Sequence, residues 1–278
     1  RFDPDLGADR FRLGGREEPT MARRVSACLD ELRRRVGSSL HAEVESGNDF
    51  PTAAGLASSA SGFAALVVAA DAAIGAGLPR RELAELARRA SGSAPRSLFG
   101  GFVELALVDS GQGTETRQLL EPAAWPLAVA VAVTASGPKA VGSTEGMLAS
   151  ERSSPYYAAW VASSPADLEA ARAAVAARDF EGLAAVSEAS CLAMHGVMFA
   201  TRPGLVYWNG TTVACIHLVR SLRAGGVPVF FTIDAGPQLK AVCLPGALTR
   251  VREQLAAVPG VERVLEGRLG EGARLVAG

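Results

Sequence analysis

Few residues in this chain combine reactive chemistry with a setting that would put it to use. Asp234 closes the apolar run "VFFTID" and is followed at once by Ala-Gly-Pro, so a carboxylate stands at a strand end where the chain turns. A carboxylate held there can orient a hydroxyl or take its proton; an aspartate that only caps its turn has the same pattern. Arg96 lies among small residues in "SGSAPRS", and its planar fork suits a carboxylate. A surface arginine is the other reading. Lysine is scarce: among 28 basic residues only Lys139 and Lys240 are lysines. Either a compact ammonium is wanted at those two places, or the positions merely tolerate one.

The stretch "PTAAGLASSASG", residues 51–62, sets hydroxyls and glycines directly before the apolar segment 63–70. A Gly/Ser loop entering a helix offers unpaired backbone N–H groups and the positive end of the helix dipole, which is what a phosphate needs. Gly55, Ala57, Ser58, Ser59 and Ser61 would supply them. No lysine follows the second glycine, so this is not a Walker loop, and a plain strand-to-helix turn remains open.

The elements that must position these residues are legible as patterns. "LHAEVES" (40–46) alternates, with Ala42 and Val44 on one face and His41, Glu43 and Glu45 on the other, and predicts a half-buried strand. A helix is expected from about Ser59 to Ile74 and another over 80–90. "SGSAPRSLFGG" then turns into the strand "FVELALV". "WPLAVAVAVTASG" (125–137) reads as a strand buried on both faces. A lobe boundary is expected just before it, dividing the chain into 1–121 and 122–278. Beyond it, "SSPADLEAARAAVAARDF" predicts a helix with Ser164 as N-cap and Pro165 in its first turn. "TTVACIHLVRSLRAGG" predicts one capped by Thr211 or Thr212 and stopped by Gly225. Two strands around the Asp234 turn, a helix over 247–257 and a last strand near "VERVLEG" complete an α+β sandwich.

Composition bounds the function. The formal net charge is −1 and 49% of the 278 residues are hydrophobic, so a large core is available and nothing pulls the chain toward nucleic acid or an anionic membrane. Cys28, Cys191, Cys215 and Cys243 lack metal-ligand spacing and fit a reducing, cytoplasmic setting. No unbroken apolar run reaches the about 18 residues of a membrane span. The first residue is Arg1 rather than Met, and a preceding segment is expected.

The whole string "NDFPTAAGLASSASGFAAL" closely resembles the phosphate loop of mevalonate diphosphate decarboxylases. "SGSAPRSLFGGFVEL", "KAVGSTEGM", "PGLVYWNGTT" and "FTIDAGPQLKAVCL" continue the likeness in the family's order. The resemblance implies an α+β, two-lobed GHMP-kinase-like fold. Its N-terminal lobe would be like ribosomal protein S5 domain 2 and its C-terminal lobe a ferredoxin-like α/β sandwich, with a deep cleft between them. It implies a cytoplasmic homodimer that uses ATP and Mg²⁺ to phosphorylate the 3-hydroxyl of mevalonate 5-diphosphate, releasing phosphate and carbon dioxide to leave isopentenyl diphosphate. By the same resemblance Asp234 and Arg96 are catalytic, the arginine holding the substrate's carboxylate. Gly92, Ser93, Ser143, Met147 and Lys139 bind substrate, Gly55, Ala57, Ser58, Ser59 and Ser61 bind ATP phosphates, and no protein residue is assigned to metal.

The sequence departs from the family in three places. The family's opening strand and its "YWGK"-type motif have no counterpart; Pro95 stands where Cys, Ala or Ser is common; Gln238 replaces an asparagine and is expected to donate the same amide bond. A decarboxylase of the 5-monophosphate, a 3-kinase, and a non-catalytic module of the same fold are the alternatives. Retention of both Asp234 and Arg96 argues against the kinase. His195 and His217 read as core or interface histidines, Tyr207 and Trp208 as packing, and the arginine clusters at 32–35 and 88–89 as solvated helix faces.

Overall fold

A computed structural model describes residues 1–49, 58–108, 113–137 and 139–276. They form two compact units, one of residues 1–49, 58–121 and 270–276 and the other of 122–269.

The first unit opens with β1 (Phe2–Asp3), β2 (Arg10–Leu13), β3 (Arg16–Glu17), α1 (Pro19–Val36) and β4 (His41–Ser46), and the strands order as β1-β4-β2-β3. β4 runs antiparallel to β1 and parallel to β2, and its alternation buries Ala42. Helix α1 has proline in its first turn and ends at Gly37 in the left-handed region, whose N–H closes the last turn on Arg33. Its apolar stripe Val25, Cys28, Leu29 and Leu32 follows helical spacing and is buried. α2 (Ser58–Ile74) buries Phe63, Leu66 and Val67 among α1, α3 (Arg80–Ala90) and the short α4 (Ala94–Ser97). β5 (Phe102–Val108) and β6 (Gly113–Leu120) pair as an antiparallel ribbon.

Arg33 corrects the reading of its cluster as a solvated face. Its guanidinium grips both Asp9 oxygens at 3.0 and 2.9 Å and also donates to the Leu40 carbonyl. The two side chains are 7% and 6% exposed. Asp9 in addition accepts from the Ala42 N–H at 2.8 Å. Burial alone would raise the Asp9 carboxyl, but Arg33, Ala42 and Ser26 outweigh it and hold it below its ordinary value. Helix propensity says only that an arginine fits in α1; the acid that draws it inward lies 24 residues away in sequence.

The second unit contains β7 (Ala128–Val133), α5 (Ser143–Ser153), α6 (Tyr157–Ala177), α7 (Phe180–Phe199), α8 (Gly210–Ala224), β8 (Val229–Thr232), β9 (Leu239–Cys243), α9 (Leu248–Ala256) and β10 (Arg263–Arg268). Its sheet is antiparallel in the order β10-β7-β9-β8. β7 buries Ala128, Ala130 and Ala132 fully while Val129 and Val131 are half-buried, so only one face is sealed, contrary to the expectation of two. α7, α8 and α9 pack on the sheet to close a core around Phe231, Val219 and Leu255. α7 is long and apolar enough by composition to cross a membrane, but Cys191, His195, Val197 and Met198 are buried within this unit.

Two predicted caps are displaced. α6 starts at Tyr157 and runs through Pro165, so Ser164 is interior to the helix; its hydroxyl and that of Ser163 donate back to the Trp160 carbonyl. The apolar "YAAWVA" supplies helix formers upstream, and these outweigh the local stop signal. α8 is capped by Asn209, whose side chain accepts from the Thr212 N–H while the Thr212 hydroxyl takes the Asn209 N–H, a reciprocal capping box.

The last described segment, expected in the second lobe, packs on the first unit. Gly101 N–H donates to the Gly270 carbonyl and Ala273 N–H to that of Ser97, each at 2.9 Å, and the Arg80 guanidinium bridges the carbonyls of Leu98 and Ala273. These are backbone contacts that no side-chain pattern announces.

Candidate functional site

In the second unit the predicted residues gather around one turn. β8 delivers the chain to Asp234, and the peptide before it is pinned: Ile233 N–H donates to Cys191 Sγ at 3.2 Å, and its carbonyl lies 3.5 Å from the same sulfur. The far end of the turn is fixed as firmly. Gln238, 1% exposed, accepts from Thr134 N–H and donates to the Ala135 carbonyl, both at 2.7 Å, while the Thr134 and Thr212 hydroxyls donate to the Pro237 carbonyl at 3.0 and 2.7 Å. Between these clamps the Asp234 side chain is 60% exposed, with Oδ2 on Lys240 Nζ at 2.6 Å. It is a carboxylate on a rigid turn with one face open.

Lys139 reaches the same turn from the other side. Its ammonium donates to the Ala235 carbonyl at 2.6 Å and to Ser143 Oγ at 2.5 Å, and it lies 5.5 Å from the centre of the Tyr207 ring. Burial lowers the Lys139 ammonium from its ordinary value; Asp234 opposes that shift and Lys240 adds to it. An ammonium only donates, so Ser143 accepts here and keeps its own O–H for an outside acceptor. Ser143 also opens α5, where unpaired N–H groups and the helix dipole favour an anion. One turn further along, Met147 is half-buried, and Gly146 leaves room for Tyr207: a Cβ there would stand 2.6 Å from the phenol oxygen.

In the first unit the second group assembles. Ser58 and Ser59 open α2, and Ser59 Oγ lies 3.3 Å from Ser91 Oγ, which joins the two serine-rich turns. Ser61 donates its hydroxyl to the Ser58 carbonyl. Gly92 is exposed and Ser93 half-buried just before α4. Arg96 projects from α4, exposed, and its guanidinium makes no hydrogen bond or ion pair among the described residues. Gly55 and Ala57 lie outside the described residues.

Three other readings change. His195 is core as expected, yet it also takes part in positioning: Trp208 Nε1–H donates to its Nε2 at 3.2 Å, so Trp208 does more than pack. Burial holds the His195 imidazole below its ordinary value. His217 is exposed on α8 rather than in the core. Tyr207, read as packing, donates to the Val141 carbonyl at 3.2 Å beside Lys139. The sequence marks Lys240 only by the rarity of lysine, and the structure sets it on Asp234. A cavity of about 570 Å³ in the first unit, lined by Arg35, Arg81, Glu85 and Arg88, contains none of the predicted residues.

In chemical terms the second unit's group combines an exposed carboxylate on a fixed turn with two ammonium groups, a serine hydroxyl and a helix N-terminus. Comparison with known proteins places the chain within a family. Residues 1–116 match the diphosphomevalonate decarboxylase-like N-terminal domain and residues 129–262 the mevalonate 5-diphosphate decarboxylase C-terminal domain. The diphosphomevalonate decarboxylase of Homo sapiens is 38% identical over 253 residues, 84% of this chain and 62% of its own length. That of Candida albicans is 32% identical over 297 residues, 95% of this chain and 82% of its own. The solved structure of MDDEF in complex with MVAPP, AMPPCP and magnesium superposes with a TM-score of 0.89 at 35% identity, covering 98% of this chain and 84% of that one. The chain belongs to the diphosphomevalonate decarboxylase family, and it spans about three-fifths of the human relative.

Proposed function

We propose that this chain carries out the ATP-dependent decarboxylation of mevalonate 5-diphosphate, giving isopentenyl diphosphate, ADP, phosphate and carbon dioxide. The observation that carries the reading is Asp234, an exposed carboxylate fixed at both ends of its turn and flanked by Lys240, Lys139 and Ser143.

Asp234 accepts the hydrogen bond of the substrate's 3-hydroxyl and takes its proton as the oxygen gains phosphorus. Arg96, which has no competing partner among the described residues, grips the C1 carboxylate with its fork and sets the C1–C2 bond for cleavage. Loss of phosphate from C3 and of carbon dioxide from C2 then leaves the alkene. Ser143, Lys139 and the first turn of α5 meet the substrate's diphosphate, joined by Gly92 and Ser93, and Met147 lines the apolar part of the substrate.

The first turn of α2 fits nucleotide phosphates, since its leading N–H groups have no partner within the helix and Ser58, Ser59 and Ser61 add hydroxyls. When bound, ATP supplies the phosphoryl group that turns the hydroxyl into a leaving group, and Mg²⁺ neutralises the crowded phosphates. Among the described residues no three His, Cys, Asp or Glu side chains could hold a metal, so Mg²⁺ would take its ligands mainly from phosphate oxygens. A homodimer in the cytoplasm belongs to the same reading, and four buried free thiols suit a reducing compartment.

The test uses the full-length protein with ATP, Mg²⁺ and carboxyl-labelled mevalonate 5-diphosphate, following ADP and labelled carbon dioxide together. Equal yields that vanish in Asp234→Asn are expected. ADP without carbon dioxide would make the protein a 3-kinase, and neither product would refute the reading.

A further inference from the structure

The two lysines among residues 1–278 hold successive residues of one turn: Lys240 takes the Asp234 carboxylate and Lys139 the Ala235 carbonyl. Lys240 lies on β9, cross-strand from Thr232 and Val131, and its side chain is only 14% exposed, so its ammonium is delivered by a rigid sheet rather than by a loop. It meets Oδ2 alone. The other carboxylate oxygen accepts no hydrogen bond among the described residues.

We propose that Lys240 is a positioning residue for Asp234: its point charge fixes one carboxylate oxygen and thereby leaves the other, in a set direction, for the substrate's hydroxyl. This deepens the decarboxylase reading and rests on it. It also explains why a chain so rich in arginine keeps a lysine here. A guanidinium on the same strand would fork across both carboxylate oxygens and occupy the one the reaction needs, whereas an ammonium binds as a single point.

Two measurements on the full chain test the idea. The first is kinetic, on Lys240→Met, Lys240→Gln and Lys240→Arg. Loss of positioning should lower kcat by about 10- to 100-fold in Lys240→Met while KM for either substrate stays within about threefold, the pattern of an interaction felt in the transition state. Lys240→Gln, which keeps a donor without the charge, should fall less. Lys240→Arg should be at least as poor as Lys240→Met despite its charge. Thermal melts identify any variant that fails to fold, and Lys240→Gln then stands for the series. Wild-type kcat in Lys240→Met, full rescue by arginine, or a rise in KM alone would each overturn the proposal, the last by making Lys240 a direct phosphate ligand.

The second measurement needs no activity. Lysine-selective ¹³C and ¹⁵N labelling gives one side-chain signal each for Lys139 and Lys240, and Lys139→Met and Lys240→Met assign them. Asp234→Asn should displace the Lys240 signal; if that signal stays where it was, the pair does not exist in solution and the proposal falls. Should the wild-type protein yield neither ADP nor carbon dioxide, the functional reading fails, and the labelling experiment still decides whether Lys240 holds Asp234.

Discussion

At the scale of single residues, the site is a balance of charges around Asp234. Asp234→Asn keeps shape and size but removes the acceptor for a proton, and a loss of about 10²- to 10⁴-fold in kcat is expected, with substrate binding retained by equilibrium titration. Lys139 reports on the same balance. Burial lowers its ammonium, Lys240 lowers it further and Asp234 raises it. Removing each neighbour therefore has a predicted sign: the Lys139 titration, followed by ¹³C NMR, should move up in Lys240→Met and down in Asp234→Asn. Asp234 and Arg96 stand out in the sequence as candidates because each sits in a distinctive short string. Lys240 does not, because its meaning comes from a partner across a turn, whereas Gln238 was expected to donate an amide bond and does so to the Ala135 carbonyl while also accepting from Thr134.

At the scale of elements, alternation and helical spacing located β4, α2, α3 and the strand pair around Asp234. They failed where a distant partner decides. Arg33 looks like any solvated arginine until Asp9 is placed beside it. Breaking that pair by Asp9→Ala should destabilise the first unit by about 1.5–3 kcal/mol, because the buried guanidinium loses its two-oxygen partner and keeps only Asp30 and the Leu40 carbonyl; chemical denaturation at neutral pH measures this. The pH dependence has a definite sign. The Asp9 carboxyl is held below 3.8 in the folded protein, so its contribution is present above that value and disappears as pH falls through the lower folded value. The wild type and Asp9→Asn should therefore converge in stability toward acid. The α6 start failed differently: Ser-Pro is a good local cap signal, yet the apolar stretch ahead of it extended the helix across it.

At the scale of the whole molecule, all four cysteines are free and buried, and burial pushes each thiol up to about 11. None should react with a thiol reagent at pH 8 in the native state, and all four should react once the protein is denatured. The segment 270–276 gives a second prediction at this scale. Gly272 has a φ of +82°, and a Cβ there would come within 2.6 Å of the Leu98 carbonyl oxygen. Gly272→Ala should cost at least about 1 kcal/mol in the first unit and leave the second unit's core unaltered, as amide hydrogen exchange resolved by unit would show. The two-unit division was visible in sequence near residue 121 as a change from a proline-bounded turn to a long apolar strand. The return of 270–276 was not, since it is held by backbone groups.

That return sets an order of events during synthesis. The described residues of the second unit, 122–269, are contiguous and can fold together as soon as they have left the ribosome. The first unit begins earlier but cannot close until 270–276 have emerged, about 150 residues later in the chain. The half that is translated first is thus completed after the second, and Arg80 with its neighbouring carbonyls must wait, open, for residues 270–276 to arrive.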